Sequence, residues 1–296
     1  MIRLDAKNVT HSSWVDTLLA NREIKDGVFK LLFGNPENAA ELYSALKDMP
    51  CSPNDIQIIT LTIIVSGRME NDLAFVVRGR AMVLGEHMSS LYANMPVRFL
   101  MYLGQLYEKW IKMKGEEKYL YGSSLYKIPT PEFVVFYNGT ANRPAKEILK
   151  LSSAFEAIGD TDLGSIELEV PVYNINKDVG EELFKKSPKL KQYAEFIAKV
   201  REFSKLYDDY SQAVREAANY CIANDILADF LREQGGRVVS ILATEYDLEA
   251  AKRVYAEEQV EDKLIEVAKN MIADGESTER IMRYTGLSRK EIEYLK

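Results

Sequence analysis

At 296 residues and 33.7 kDa, with 47% hydrophobic and 28% charged residues, the chain has the make-up of an ordinary globular protein with room for one large domain or two. No stretch reaches the roughly 18 uninterrupted apolar residues that span a bilayer, and the opening MIRLDAKNVTHSSW lacks an apolar signal core, so a cytoplasmic location and no membrane partner are expected. A net charge of −7 and a pI near 5.2 speak against non-specific nucleic-acid binding by the whole surface.

Along the chain, residues 1–21 read as an N-terminal extension. Residues 22–48 then carry apolar side chains at helical spacing (Val28, Leu31, Leu32, then Ala39, Leu42, Leu46), and Gly34-Asn35-Pro36 breaks them into two helices. Asn35 is the expected N-cap of the second, with Pro36 at its first position. Cys51 and Cys221 lie in separate regions without a CxxC, which argues against a disulfide scaffold or a zinc site and leaves both as packing residues. Ile56–Val65 (IQIITLTIIV) is rich in β-branched residues and predicts a strand. Leu73–Val77 and Ala81–Leu84 are two apolar runs joined by Arg78-Gly79-Arg80, which predicts a β-hairpin. Pro96–Met113 predicts a strongly apolar helix with Phe99, Tyr102, Leu103, Leu106 and Trp110 along one side, a stripe expected to be core.

Glu132–Tyr137, ending at Asn138-Gly139, predicts a fourth strand, and Ile166–Ile175 (IELEVPVYNI) a fifth. The order α-β-β-β-α-β, followed by another strand, implies a mixed α/β core whose last helix carries a crossover back to the sheet. After about residue 180 the pattern is wholly helical, with expected helices at Leu190–Leu206, Tyr210–Asn224, Ile226–Gln234, Val238–Tyr246 and, long and acidic, Glu249–Ala273. The last segment predicts two short helices around Thr285-Gly286-Leu287-Ser288, with Ser288 and Glu291 spaced as a capping box. This tail has the outline of a minimal helix-turn-helix; with Glu291 and Glu293 on its second helix, docking or capping is expected rather than DNA reading.

The hairpin segment NDLAFVVRGRAMVLGEHMSS holds the residues with chemical promise. Asp72 stands at its entrance and Glu86 at its exit. Side chains alternate along a strand, so Glu86 and Met88 share a face while His87 points the other way. Two converging carboxylates repel each other unless a cation sits between them, and Mg²⁺ takes few carboxylates while keeping its waters. Such a metal activates water and steadies the charge on a scissile phosphate. Spacing alone leaves a plain alternative open, in which Asp72 belongs to a turn and Glu86 is a solvated strand end. Residues 68–114 hold seven basic and four acidic residues, a net of +3, whereas residues 241–296 hold nine basic and thirteen acidic, a net of −4. The basic bias around the hairpin makes Arg80 and Arg98 candidates for DNA phosphate contacts, with solvated surface roles equally open. No glycine-rich phosphate loop and no Ser/His/Asp arrangement supports nucleotide hydrolysis or acyl transfer.

Several blocks, taken in order, resemble one family. KDGVFKLLFGNPEN (25–38), NDLAF, GEHMSSLYANMPVRFLMYLGQLYEKW, IPTPEFVVFYNG, VPVYNIN, AVREAANYCIANDILADFL and TGLSRKEIEYL are similar to the PD-(D/E)XK nuclease family transposases, also called Rpn recombination-promoting nucleases. The likeness runs over nearly the whole chain from about residue 22. It implies a restriction-endonuclease-like αβββαβ core with a mixed central sheet over residues 22–180. An all-helical C-terminal region follows, divided into a helical part (181–248) and an acidic helix with the helix-turn-helix-like tail (249–296).

The resemblance further implies a DNA endonuclease dependent on Mg²⁺ or Mn²⁺, associated with recombination or transposition, and by analogy a homodimer. Asp72 would be the metal-binding aspartate, Glu86 the second acidic ligand and the backbone carbonyl of His87 a third. Asp26 would be an auxiliary acid, with Glu23 a weaker candidate, while Gln105, as a catalytic side chain, and Tyr102, as a DNA contact, would face the same cleft. His87 is expected to be structural or close to the substrate rather than a general base. The family usually has a glutamine, or in the wider superfamily a lysine, where this chain has Met88. A thioether neither positions water by hydrogen bonding nor offers positive charge. The second reading is therefore a catalytically weak or inactive relative that binds DNA or protein.

Overall fold

The hairpin turn is the local feature from which the sheet is registered. Arg78 and Gly79 both hold left-handed backbone, with φ of 51° and 64°, the conformation that matches a tight turn to the twist of its strands. The Arg80 N–H donates to the Val77 carbonyl at 2.9 Å. Asp55 holds Arg78 in this conformation, which is unusual for a residue with a Cβ. Its carbonyl accepts the Arg78 N–H at 2.8 Å, and its carboxylate accepts Nη2 at 2.9 Å.

The computed structural model describes residues 27–59, 73–156 and 164–295. Two compact units are distinguished, Arg22–Ala243 and one that includes Thr244–Lys296. In the first, β1 (Ile56–Ile58), β2 (Leu73–Val77), β3 (Ala81–Met88), β4 (Thr130–Tyr137), β5 (Lys146–Lys150) and β6 (Glu169–Asn174) form one sheet in the order β1-β2-β3-β4-β6-β5. β1, β2 and β3 are antiparallel neighbours, whereas β3, β4 and β6 run parallel and β5 closes the edge antiparallel to β6. The protein is thus an α/β protein, with a six-stranded mixed sheet among the described residues. Its helices gather mostly in the C-terminal half.

Helices cover both faces. α1 (Val28–Phe33) and α2 (Pro36–Lys47) come first; Asn35 caps α2 by accepting the Asn38 N–H at 2.9 Å, and Pro36 opens it. α3 (Met95–Lys114) crosses from β3 to β4 and buries Phe99, Tyr102, Leu106 and Trp110 against the opposite face, in one cluster with Leu84, Met88 and Val135. α4 (Glu181–Phe184), α5 (Pro188–Phe203), α6 (Tyr210–Ala223) and the start of α7 (Ala228–Ala273) follow. Tyr193, Phe196, Val214 and Leu231 from these helices share one core with Phe29 and with Val83 and Phe136 of the sheet. Each fully buried Phe or Leu contributes about 1.5–3 kcal/mol relative to exposure, so this shared core binds the C-terminal helices to the sheet.

Three sequence expectations need correction. β5 is a strand that the sequence does not announce: KEILK carries lysine at both ends, and Ile148 is half exposed. A short, charged edge strand discourages pairing with other chains, and the same charges hide its alternation. The fifth expected strand, Ile166–Ile175, is shorter, Glu169–Asn174. The three helices expected between Ile226 and Ala273 are one continuous helix, α7. Gly235-Gly236 resembles a break, yet the flanking Leu231, Val238, Ile241 and Leu242 are all buried in the core, and this packing outweighs a helix penalty of about 1 kcal/mol per glycine. Of the strand expected at Ile56–Val65, Ile56–Ile58 forms β1, and the part from Thr60 onward lies outside the described residues.

The second unit contains α8 (Thr278–Thr285) and α9 (Arg289–Leu295), packed through Ile281, Ile292 and Ala268. The expected capping box forms. The Ser288 N–H donates to Glu291 Oε2 at 2.7 Å, and the Glu291 N–H donates to Ser288 Oγ at 3.4 Å. Among the described residues no helix is long and apolar enough to cross a membrane.

Candidate functional site

Strand alternation divides the segment Glu86-His87-Met88 between the two faces of the sheet. Glu86 and Met88 face α3, whereas His87 faces α1 and α5. Glu86 sits near the carboxyl end of β3, opposite Val135 of the parallel β4. Crevices at the carboxyl ends of parallel strands are where open α/β sheets place ligands.

The Glu86 side chain is only 5% exposed, and Oε1 is buried. A charge removed from water to this degree needs a countercharge. Arg98, in the first turns of α3, places Nη2 3.7 Å from Glu86 Oε2. The same guanidinium donates to Tyr102 Oη from Nε at 3.2 Å and from Nη2 at 2.8 Å, and Nη1 lies 3.3 Å from Met95 Sδ. Arg98 and Tyr102 are four residues apart and so lie one above the other on the helix. Tyr102, expected to contact DNA, is instead fully buried in the core beneath the helix. The result is a chain of contacts, Glu86 to Arg98 to Tyr102, running from the strand into the helix.

His87 belongs to a different environment. Its ring stacks on Phe29 with centroids 4.9 Å apart, and Nε2 lies 3.0 Å from Tyr193 Oη. Burial, with the positive charge of Arg201 adding to it, pushes the imidazole down to about 3. A ring that stays neutral and packed among aromatics suits the expected structural role. Its imidazole does not face Glu86.

The remaining expected site residues are scattered. Met88 is buried in the same apolar cluster as Met95, Tyr102 and Tyr137. Gln105 is half-buried on α3, a helical rise of about 10 Å beyond Arg98. Arg80 is exposed in the hairpin turn, six residues from Glu86 along the strand and therefore about 20 Å away. Arg98, expected at the surface or on phosphate, is instead about three-quarters buried against Glu86. Among the described residues the β2–β3 register reaches Leu73 opposite Gly85. Asp72, one peptide unit further, lies outside the described residues, as do Asp26 and Glu23. Glu86 is not the solvated strand end that spacing alone left open.

Sequence reasoning missed the polar clamp at the carboxyl ends of β4 and β6. Arg201 of α5 donates from Nη1 to Asn176 Oδ1 at 2.7 Å and from Nη2 to the Asn138 carbonyl. Asn176 Nδ2 donates to the Gly139 carbonyl and to Asn174 Oδ1, each at 2.9 Å. The Asn138 N–H in turn donates to the Met88 carbonyl at 3.0 Å, tying this network to the end of β3. Asn-x-Asn at the end of a strand was the available signal; nothing marks Arg201 within an amphipathic helix.

Among the described residues Glu86 is the one carboxylate at this point of the sheet, and its surroundings are the Arg98 guanidinium and apolar side chains; the Met88 thioether is soft and adds nothing for a hard cation such as Mg²⁺. Among the described residues no three of His, Cys, Asp and Glu come together as a ready metal cage. No protein-family model, no curated protein and no solved structure matches this chain.

Proposed function

We propose that the protein is a divalent-metal-dependent endodeoxyribonuclease of the PD-(D/E)XK type, hydrolysing phosphodiester bonds in DNA in the course of recombination or transposition. The observation that carries this reading is Glu86: a buried carboxylate near the carboxyl end of a parallel strand, countercharged from the adjacent crossover helix. The ordered blocks that resemble the family support it, as does the mixed sheet with a helix crossing from β3 to β4.

In this reading Glu86, Asp72 and the backbone carbonyl of His87 would hold Mg²⁺ or Mn²⁺. The reading requires the antiparallel register to run one pair beyond Leu73–Gly85. When bound, the metal supplies an activated water and charge stabilisation at the scissile phosphate. The chain's own contributions are positional. Burial fixes the Glu86 carboxylate, the Arg201 clamp holds the ends of β4 and β6 beside β3, and Arg98 keeps a positive charge within reach of the site.

A supercoiled-plasmid nicking assay with Mg²⁺ or Mn²⁺ tests the proposal. Metal-dependent cleavage that disappears in Asp72→Ala and Glu86→Ala is the expected result. Absence of cleavage at every metal and protein concentration sinks it.

One observation favours the second reading, a non-catalytic DNA- or protein-binding relative. Met88 is buried among apolar side chains, where the usual glutamine would need polar partners. Met88→Gln separates the two readings. Cleavage that appears or rises in this variant means that the methionine limits the site, and unchanged cleavage means that it does not.

A further inference from the structure

The connection from α3 to β4 carries an apolar surface that the core does not use. Met113, Tyr119, Leu120, Tyr121, Leu125 and Ile128 are all exposed, Tyr121 at 91% and Leu125 at 86%. Six of the nineteen large apolar side chains exposed among the described residues thus fall within one loop, which makes a patch rather than scatter. The loop is held in shape from within. Tyr126 Oη donates to Glu116 Oε2 at 2.6 Å, joining its two limbs, and Tyr107 Oη of α3 donates to the Pro129 carbonyl at 2.6 Å, fixing its exit. Tyr107 and Tyr126 pack against the core, whereas the 3₁₀ turn Glu117–Tyr121 buries no residue. A turn with nothing buried, standing on a hydrogen-bonded base, presents its apolar side chains outward.

We propose that this loop pairs with the same loop of a second copy of the chain, forming a two-fold dimer. Two observations point to a copy rather than to another partner. The six side chains expose on the order of 700 Å², close to the roughly 800 Å² that each partner contributes to a standard specific interface. The charges around them are of both signs. Glu117 stands beside Lys118 in the turn, Lys127 follows on the return limb, and none of the three forms an ion pair. A two-fold interface sets a patch against itself, so acid and base must both be present. Nucleic acid or an anionic bilayer would instead meet repulsion from Glu116 and Glu117.

The position leaves the carboxyl ends of the strands open. The loop leads into the start of β4, where the Thr130 N–H donates to the Arg80 carbonyl at 2.7 Å. Glu86 lies six residues further along β3, about 20 Å away. The pairing surface is therefore at the opposite end of the sheet from Glu86, and the inference stands whether or not Glu86 holds a metal.

Sedimentation equilibrium of the full-length protein, from submicromolar to hundred-micromolar concentration, reads the oligomeric state directly. The parent is expected to be a dimer. Leu125→Asp and Tyr121→Asp should each weaken it at least about a hundredfold, because two-fold symmetry counts every change twice, with the circular dichroism spectrum unchanged. A charge exchange tests that the loop meets itself. Glu117→Lys makes the loop basic, and Lys118→Glu with Lys127→Glu makes it acidic. Each form should dimerise more weakly than the parent at low salt, and an equimolar mixture should recover a mixed dimer. A parent that stays monomeric throughout, or a dimer indifferent to Leu125→Asp and Tyr121→Asp, overturns the proposal. A monomer that binds phosphatidylcholine–phosphatidylglycerol vesicles through Leu125 overturns it as well and gives the patch to a bilayer. Should the aspartate variants fail to fold, the charge exchange decides, and a mixture that forms no mixed dimer refutes the pairing.

Discussion

The Arg201 clamp allows a quantitative test of how the carboxyl ends of the strands are held. Arg201→Met keeps most of the aliphatic stem and deletes the donors to Asn176 Oδ1 and the Asn138 carbonyl. Hydrogen bonds from charged donors contribute about 1.5–3 kcal/mol each. Asn138 is buried, so its carbonyl loses its partner to no solvent, whereas half-buried Asn176 regains water. The expected cost is about 2–5 kcal/mol of unfolding free energy, most of it from the Asn138 side. Urea denaturation followed by tryptophan fluorescence measures it. Trp14→Phe as background leaves Trp110, buried against the sheet, as the reporter of the first unit. Arg201→Lys retains the charge but reaches one acceptor at a time, so it should recover about half of the loss. A double-mutant cycle with Asn176→Ala should show coupling of about 1–2 kcal/mol. A loss below about 1 kcal/mol in Arg201→Met, at unchanged denaturant slope, refutes the clamp.

Three further outcomes follow from the same geometry. A Cβ on Gly139 would sit 1.9 Å from the Ser89 carbonyl oxygen, a backbone contact that no rotamer relieves. Gly139→Ala should therefore cost about 1–3 kcal/mol or more by urea denaturation, and a neutral effect would show that the two segments are not in contact. Gly235 and Gly236 lie inside α7 with open space around the missing Cβ. Gly235→Ala and Gly236→Ala should each stabilise by about 0.5–1 kcal/mol, read as a raised melting temperature. In the second unit, hydrogen bonds from Ser288 hold the Glu291 carboxyl below the usual carboxylate range. The folded-state value is depressed, so the capping contribution is complete above the unfolded value near 4.5 and is lost as pH falls through the folded one. The protection factors of the α9 amides, that is exchange rates corrected for their intrinsic pH dependence, should fall on acidification, and Ser288→Ala should flatten that pH dependence; an unchanged profile in the variant counts against the cap.

The legible parts of this chain were those with local causes. The hairpin followed from two apolar runs around Arg-Gly-Arg, the cap of α2 from Asn35-Pro36, and the α3 stripe from spacing. The strand period also placed Glu86 and His87 on opposite faces. β5 escaped because an edge strand is selected against looking like one, and α7 because tertiary packing carried the helix through two glycines. The partner of Glu86 was out of reach for a different reason. Arg98 is twelve residues away on another element, and only the packing of α3 on the sheet brings it within 3.7 Å. The Asn138–Asn176–Arg201 network is likewise assembled from three elements whose spacing in sequence carries no trace of it.

The turn at Arg78-Gly79 gives β3 its reading frame. A strand shifted by one residue would hand every side chain to the opposite face, sending His87 towards α3 and Glu86 into the aromatic stack of Phe29 and Tyr193. Asp55 pins that turn from outside the hairpin, about 20 Å from Glu86. Which chemistry faces α3 is thus decided at the far end of the strand, by an exposed ion pair that never approaches the site.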